Sequence, residues 1–148
     1  MESETPTIKI HVTSGNWDTQ RAHAQILREE VFVSEQGVPI ELEWDEMDAL
    51  CLHVIAYDKA GSPIGTGRLL PDGHIGRMAV RKSSRGAGVG GVILEALMRH
   101  AKQRGDLVVM LNAQTHAVPF YGRFGFVCEG EEFMDAGIPH MAMRHPFP

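Results

Sequence analysis

Apolar and polar side chains follow two different periods in the first third of the chain. They alternate over residues 7–12 (TIKIHV), which predicts a strand with one buried face. Over residues 18–34 the apolar side chains recur at helical spacing instead, and Gly37 and Pro39 end that pattern. A loop rich in acidic residues is expected to follow, up to residue 50.

The middle of the chain predicts three consecutive strands and a long helix. Residues 51–58, 64–70 and 74–80 are rich in apolar side chains, and the turn-forming sequences KAGSP and PDG separate them. After a glycine-rich stretch, apolar residues return at helical spacing from residue 89 to Gly105, which is a typical helix end.

The last third predicts a strand, a short helix and a hairpin. Residues 107–112 (LVVMLN) are apolar throughout, so this strand is expected to be buried on both faces. A short helix is expected around residues 118–124, and residues 126–134 and 138–145 form the final hairpin. The order β-α-β-β-β-α-β-α-β-β predicts an α+β fold, in which helices cover both faces of a mixed, mostly antiparallel sheet.

Composition narrows the class of protein. A chain of 148 residues with 43% hydrophobic side chains suits one domain over residues 1–148. The net charge of −5 argues against nucleic acid as a partner, and no apolar run is long enough for a membrane. The start MESETPTIK has no features of a secretory signal, and Cys51 and Cys128 each stand alone. We therefore expect a cytoplasmic protein with reduced thiols.

The glycine-rich segment RGAGVGG, residues 85–91, is the strongest chemical signal. It lies between a predicted strand and a predicted helix, where free backbone N–H groups and the helix dipole favour an anion. No acidic residue occurs between Asp72 and Glu95, whereas four basic residues do. The charge alone is equally consistent with a phosphate site and with a solvated basic loop.

Two common nucleotide motifs do not fit this segment. A Walker A motif needs Lys and Ser or Thr after its last glycine, but Gly91 and Val92 follow Gly90 here. A Rossmann motif follows the first strand of a parallel unit, whereas several predicted strands, two of them in a hairpin, precede residue 85.

The sequence resembles the GNAT superfamily of acyl-CoA-dependent N-acetyltransferases. Arg85, Gly88 and Gly90 match its Gln/Arg-x-x-Gly-x-Gly/Ala signature at a strand-to-helix junction. Residues 112–126 (NAQTHAVPFYGRFGF) are similar to its second conserved region. Together with VFVSEQGVP and DAGIPHMAM, these segments look closest to the ElaA-like branch.

The resemblance implies acetyl-CoA as co-substrate and suggests where it binds. In the family, the fourth strand offers backbone groups to pantetheine, and the fourth and fifth strands splay apart to admit the thioester. Asn112, at the end of the fifth strand, is expected to touch the pantetheine. The positions that correspond to the pantetheine strand and the diphosphate loop are Met78, Ala79, Val80, Arg85, Gly86, Ala87, Gly88, Val89, Gly90 and Gly91.

The resemblance also implies one catalytic residue and leaves another open. Tyr121 matches the position where the family often places a tyrosine beside the sulfur, and it is expected to donate a hydrogen bond to the developing thiolate. Several family members use a glutamate of the fourth strand as base, but residues 73–84 contain no carboxylate. The candidates for the base are a water chain and the residues Glu43, Asp45, His116 and His140.

Eight acidic residues between Glu29 and Asp48 are the clue to the acceptor. Four of them, Glu35, Glu41, Glu43 and Asp45, are expected to attract a cationic amine, while His116 and His140 are further candidates to face it. A merely solubilising loop is the competing interpretation. No two histidines stand at helical spacing with a carboxylate, so no metal site is expected.

The resemblance therefore implies an N-acetyltransferase that moves an acetyl group from acetyl-CoA to a primary amine of a small molecule by direct attack. Two alternatives remain open. One is a catalytically silent CoA-binding sensor or partner module; the other is an acyltransferase that uses another acyl-CoA or a hydroxyl acceptor. Exposed strand edges would also permit a homodimer.

Overall fold

A computed structural model describes residues 9–148. This part of the chain contains one seven-stranded sheet, three α-helices and several short turns of 3₁₀ or π helix. The strands are β1 (His11–Gly15), β2 (Leu52–Tyr57), β3 (Pro63–Leu69), β4 (His74–Val80), β5 (Val108–Gln114), β6 (Val127–Asp135) and β7 (Ile138–Pro146). The helices are α1 (Trp17–Arg28), α2 (Val89–Gln103) and α3 (Val118–Gly122).

The sheet has the strand order β1-β2-β3-β4-β5-β7-β6. All neighbouring strands are antiparallel except β4 and β5, which are parallel because α2 connects them. This parallel pair holds through only two residue pairs, His74 with Met110 and Ile75 with Leu111. Beyond Ile75 the two strands separate and leave a gap in the middle of the sheet.

Helices cover both faces of the first half of the sheet. In β2, Val54 and Ala56 belong to the large core beneath α2, whereas Ile55 packs with Leu27 of α1 on the opposite face. This alternation follows from the pleat of a strand, in which successive side chains point to opposite faces. We call these two faces of the sheet the α2 face and the α1 face.

Two glycines of β3 bring α2 close to the sheet. A Cβ atom on Gly65 would lie 2.6 Å from Ile93 Cδ1, and one on Gly67 would lie 2.9 Å from Leu97 Cδ1. Any larger residue at these positions would push α2 away, and with it the glycine-rich loop that precedes the helix.

The predicted element order and fold class are confirmed, with corrections at particular elements. The first strand covers residues 11–15 rather than 7–12, and residues 7 and 8 lie outside the described part of the chain. The helix predicted over residues 18–34 is α-helical to Arg28 and continues as a π-helical turn over Glu29–Glu35. No helix in residues 9–148 is long and apolar enough to cross a membrane.

The prediction that the fifth strand is buried on both faces is wrong. Val109, Leu111 and Ala113 are buried on the α2 face, but Asn112 on the opposite face is exposed. The reason is that α1 packs on the first half of the sheet, while β5 lies beside the gap that opens next to β4.

Candidate active site

The gap between β4 and β5 leads into a cavity of about 580 Å³, called here the central cavity. Its walls come from both faces of the sheet, because Tyr121 of α3 and Phe32 of the π-helical turn both line it. A neighbouring cavity of about 470 Å³ extends towards the glycine-rich loop and is lined by Ala79, Val80 and Arg85. The two cavities share Met78, so they form one path along β4.

The glycine-rich loop at the end of this path has the geometry of an anion site. Gly86 and Gly88 have φ angles of +82° and +83°, a conformation that glycine adopts without strain. A Cβ on either residue would meet nothing within 4 Å, so the space beside the loop is open. The first helical N–H with a helical acceptor is that of Val92, which donates to Gly88 O. The N–H groups of the preceding turn of α2 therefore have no intrahelical acceptor.

The loop is held in place by aromatic residues of α3 and its C-terminal extension. A Cβ on Gly90 would lie 3.3 Å from Phe120 Cζ, and one on Gly91 would lie 3.0 Å from Phe124 Cζ. Glycine at both positions allows the start of α2 to pack directly against these rings. The free N–H groups, open space and positive helix end fit a diphosphate.

Arg85, the first residue of the signature, is occupied by another contact. Its guanidinium forms a two-point ion pair with Glu35, with Nη2 2.6 Å from Oε1, and its Nε donates to Val80 O at 3.0 Å. The hydrogen bond from Arg85 lowers the pKa of Glu35. Glu35 therefore links the π-helical turn to the loop and is not a free acid at the cavity wall.

β4 carries an irregularity beside the gap. Its register with β3 shifts between the pairs Thr66–Ala79 and Arg68–Gly76, and Arg77 has a φ of +48°. Beyond Ile75 the β4 main chain has no β5 partner, so the backbone groups on that side of Met78, Ala79 and Val80 face the gap. These are the three residues that the sequence assigned to pantetheine.

Tyr121 reaches the central cavity from the α2 face. Its side chain packs against the core beneath α2, and its hydroxyl donates to Met78 Sδ at 3.8 Å. Burial raises the pKa of Tyr121 to about 12. A phenol with this pKa remains protonated at neutral pH and can act as a hydrogen-bond donor.

His140 reaches the same cavity from the α1 face. Met143 of β7 is buried beneath α2, and His140 lies three residues before it in an unbroken register, so its side chain points to the opposite face. Its Nδ1 lies 2.7 Å from Ile138 O, and its ring stacks on Phe133. Donation from Nδ1 to that carbonyl leaves Nε2 as the acceptor nitrogen of a neutral ring.

The three remaining candidate residues differ in their position relative to the two cavities. Asn112 lines the central cavity, and its alternation with the buried residues of β5 puts it on the α1 face. His116 is exposed and lines only the cavity beside the loop. Glu41 is exposed on a 3₁₀ turn and is absent from the linings of both cavities.

Three of the eight acidic residues between Glu29 and Asp48 belong to an ion-pair cluster with arginines. Arg28 of α1 lies 2.8 Å from Glu43 Oε1 and donates to both oxygens of Asp48, and it also contacts Glu43 O. Arg68 of β3 contacts Asp48 at 2.8 Å and Asp45 at 2.7 Å. Hydrogen bonds from Arg68 hold the pKa of Asp45 well below its usual range.

This cluster corrects the prediction for Glu43. Its side chain is 1% exposed, and burial raises its pKa. It therefore supports α1 and cannot meet an amine in the cavity. Asp45 is likewise unsuited to act as a base, since two arginines lower its pKa and so weaken its affinity for a proton.

The sequence interpretation missed the arginines of this cluster. The available signal was Arg68, a charged residue within the strongly apolar strand IGTGRLL, because a buried charge in a strand needs a partner. That partner had to come from a segment with excess acid, such as residues 41–48. In residues 9–148, no group of three or more His, Cys, Asp and Glu side chains could hold a metal ion.

Comparison with known proteins agrees with the family resemblance found in the sequence. Residues 19–147 match the family described as Acetyltransferase (GNAT) domain. The uncharacterized N-acetyltransferase YjcF of Bacillus subtilis is 47% identical over 130 residues, which cover 85% of this chain and 92% of YjcF. An acyl-CoA N-acyltransferase from Pseudomonas aeruginosa is 31% identical, with a TM-score of 0.82 over 93% of this chain and 99% of its own.

The expected likeness to the ElaA-like branch is also confirmed. The crystal structure of Escherichia coli ElaA superposes with a TM-score of 0.82 and 27% identity, over 93% of this chain and 99% of ElaA. The signature residues, the fold and these relatives agree across nearly the whole described chain. The protein therefore belongs to the GNAT family of acetyltransferases.

Proposed function

We propose that this protein transfers an acetyl group from acetyl-CoA to a primary amine of a small molecule. The observation that carries the proposal is the path along β4, which connects the open glycine loop to the central cavity through the gap beside β5. This path offers a diphosphate site at one end and a place for a thioester at the other. Acetyl-CoA would supply the activated acyl group.

The loop and β4 provide the binding groups for the donor. Backbone N–H groups from Arg85 to Gly91 would hold the diphosphate, while Met78, Ala79 and Val80 offer main-chain groups to the pantetheine arm. Asn112 borders the same gap from β5 and would provide a further contact. A backbone N–H of β4 near Met78 is the candidate to stabilise the oxyanion.

His140 is the best candidate for the base. Glu43 is buried, Asp45 is paired with arginines, and His116 lines only the cavity beside the loop. His140 lines the central cavity with Nε2 free to accept, provided Nδ1 carries the proton. His140 pairs with Gln114, which lies three residues beyond Leu111, the β5 member of the last β4–β5 pair. Met78 lies three residues beyond Ile75, the β4 member of that pair. The imidazole thus borders the gap in which the thioester is expected.

Tyr121 would act on the leaving group from the other face. A thiol has an ordinary pKa near ~8.5, so full proton transfer from a phenol of pKa about 12 is uphill by roughly 5 kcal/mol. Tyr121 is therefore assigned as a hydrogen-bond donor to the developing thiolate. The thiolate takes its proton from solvent or from the imidazolium formed at the base.

The test combines CoA binding with thiol release. Calorimetry should detect CoA binding, and acetyl-CoA with a panel of amino acids, polyamines, aminosugars and aminoglycosides should release free thiol with at least one amine. Binding of CoA without release across the panel would favour a CoA-binding sensor. Faster release with a longer acyl-CoA or with a hydroxyl acceptor would favour the other alternative.

A matched pair of glycine variants tests the diphosphate site. Gly88 and Gly61 have φ angles of +83° and +85°, and a Cβ on either meets no atom within 4 Å. Alanine should therefore cost both positions a similar stability, roughly 1 kcal/mol. Only Gly88→Ala should weaken CoA binding, because its methyl group enters the space beside the loop. Equal CoA affinity of the two variants would argue against this site.

A further inference from the structure

Two guanidinium groups line the central cavity from the α1 face, and they differ in how well they are paired. Arg68 is 8% exposed and donates to Asp45 and Asp48 over distances of 2.7–3.0 Å. Arg77 is 30% exposed and has one ion-pair contact among the described residues, from Nη2 to Asp45 Oδ2 at 3.3 Å. That same oxygen already accepts from Arg68 Nη2 at 3.0 Å. Arg77 is thus only weakly neutralised.

Arg77 can reach a further anion through the exposed part of its guanidinium. Its side chain is 30% exposed and lines the cavity, whereas its Nε is buried and has no hydrogen-bond partner within residues 9–148. The residue also has a left-handed backbone, with φ of +48°, at the irregularity of β4. Strained residues of this kind concentrate at binding sites, where the surrounding structure maintains them.

Four of the acids near this cavity are already paired with arginines. Glu43 and Asp48 are buried around Arg28, Asp45 is shared by two arginines, and Glu35 is paired with Arg85. Asp135, in the exposed β6–β7 turn, is the one carboxylate of the described residues that lines the cavity. Apolar side chains, Phe32, Val38 and Leu42, form part of the same wall.

We propose that Arg77 binds an anionic group of the acceptor, and that the acceptor is an amine that also carries a carboxylate and an apolar body. This inference rests on the proposed acetyl transfer. Arg77 and His140 both lie on the α1 face of the cavity, so the guanidinium would fix the carboxylate while His140 receives the proton of the amine. It replaces the expectation that carboxylates of the acidic segment attract a cationic amine.

A series of matched amines tests this on the unmodified protein. Leucine, leucinamide and 3-methylbutylamine share one apolar body, and O-phosphoethanolamine with ethanolamine tests whether phosphate replaces carboxylate. Thiol release is compared as kcat/KM after correction for the free-amine fraction of each compound. A charge-assisted pair predicts that leucine exceeds leucinamide by roughly 10- to 100-fold. Repeating the comparison with 4-aminobutyrate and butylamine covers a longer spacing between the two groups.

The outcomes separate this inference from the proposed function. Turnover without preference for the acid-bearing member of either carboxylate pair overturns the inference alone. A preference for the phosphorylated amine only would also overturn it, in favour of a phosphate acceptor. Silence with every amine, while CoA still binds, overturns the proposed acetyl transfer and this inference with it.

Variants of Arg77 test whether the preference comes from this residue. Arg77→Met should raise KM for the preferred acid roughly 10- to 100-fold more than KM for its uncharged analogue, while Arg77→Lys should retain part of the preference. Arg99→Met, an exposed arginine of α2 outside both cavities, is the control. An equal loss for the acid and its analogue would make Arg77 structural and overturn the assignment. Should Arg77→Met fail to fold, the Lys variant and the unmodified protein still decide.

Discussion

Tyr121 and His140 approach the central cavity from opposite faces of the sheet, and this separates the two proton-handling tasks of the proposed reaction. Tyr121 packs beneath α2, and its hydroxyl lies near Met78. His140 lies on the α1 face, with Nδ1 bonded to Ile138 O. Each task can therefore be removed by one substitution without disturbing the other face.

Tyr121→Phe should slow turnover with little effect on donor binding. The phenol hydroxyl would stabilise charge only as the thiolate develops, so its loss should lower kcat by roughly 10- to 100-fold. The dissociation constant of CoA should stay within about threefold. Steady-state kinetics and calorimetry measure the two quantities. Tyr57→Phe, at the surface of β2, is the control, and a parallel loss of kcat and CoA affinity would support a role in binding alone.

His140→Gln should slow turnover with little effect on CoA binding. Glutamine cannot take up the proton of the attacking amine, so kcat/KM for the amine should fall by roughly 100-fold. The dissociation constant of CoA should stay within about threefold, because His140 lines the central cavity and not the cavity beside the glycine-rich loop. Steady-state kinetics and calorimetry measure the two quantities.

The control for His140 is a histidine remote from the cavity. His11→Gln, on the edge strand β1, should keep the rate of the unmodified protein. If His140→Gln keeps that rate as well, the base is another group, and the water chain becomes the leading candidate.

At the scale of elements, local patterns were sufficient for most of the fold. The sequence contains typical turn residues between β2, β3 and β4 and apolar residues at helical spacing in α2. Each of these elements lies within one or two residues of its predicted bounds. The glycine loop could also be anticipated, because its conformation depends on its own residues. Gly86 and Gly88 can adopt the positive φ of this loop without the strain that other residues would suffer.

Features that depend on contacts between distant segments could not be predicted from local sequence patterns. The ends of α1 and β3 meet residues 43–48 through Arg28 and Arg68, which are 15–23 residues away from their partners in the sequence. The tautomer of His140 depends on how the β6–β7 hairpin folds back, and the exposure of Asn112 depends on where β4 leaves β5. An acidic run therefore suggested a cationic ligand, although five of its eight carboxylates are paired with arginines of the protein itself.

At the scale of the whole molecule, the buried ion-pair cluster joins segments that are far apart in the chain. Asp48 contacts Arg28 of α1 and Arg68 of β3, and Asp45 contacts Arg68 and also Arg77 of β4. The cluster thereby fixes the 3₁₀ turns between residues 40 and 50 against the sheet. It ties the stability of the fold to the wall of the acceptor cavity.

Asp48→Asn should destabilise the protein strongly at neutral pH. The variant leaves two buried guanidinium groups short of a charged partner, which typically costs about 3–5 kcal/mol. Urea unfolding followed by circular dichroism measures this free energy. Asp18→Asn, in the exposed first turn of α1, should change it by less than about 1 kcal/mol.

The same cluster should give the protein a defined sensitivity to acid. Burial alone would raise the pKa of Asp48, but hydrogen bonds from Arg28 and the charge of its guanidinium hold it below its usual value, and Arg68 lowers the pKa of Asp45. Stability from such carboxylates is complete above their unfolded pKa, near ~3.9, and is lost as the pH falls through the folded value. Glu43 has the opposite effect on the pH dependence of stability. Burial raises its pKa, so its contribution to the free energy of unfolding is lost as the pH rises.

Because two aspartates oppose one glutamate, the free energy of unfolding should fall by on the order of 2 kcal/mol as the pH drops from 5 to 2. Urea unfolding at several pH values measures this slope for the unmodified protein, Asp48→Asn and Asp18→Asn. The Asp48 variant should show a shallower slope, whereas the Asp18 variant should follow the unmodified protein. Equal slopes in all three proteins would mean that groups outside the ion-pair cluster cause the loss of stability in acid. The charges of the cluster would then not couple the cavity wall to the stability of the fold.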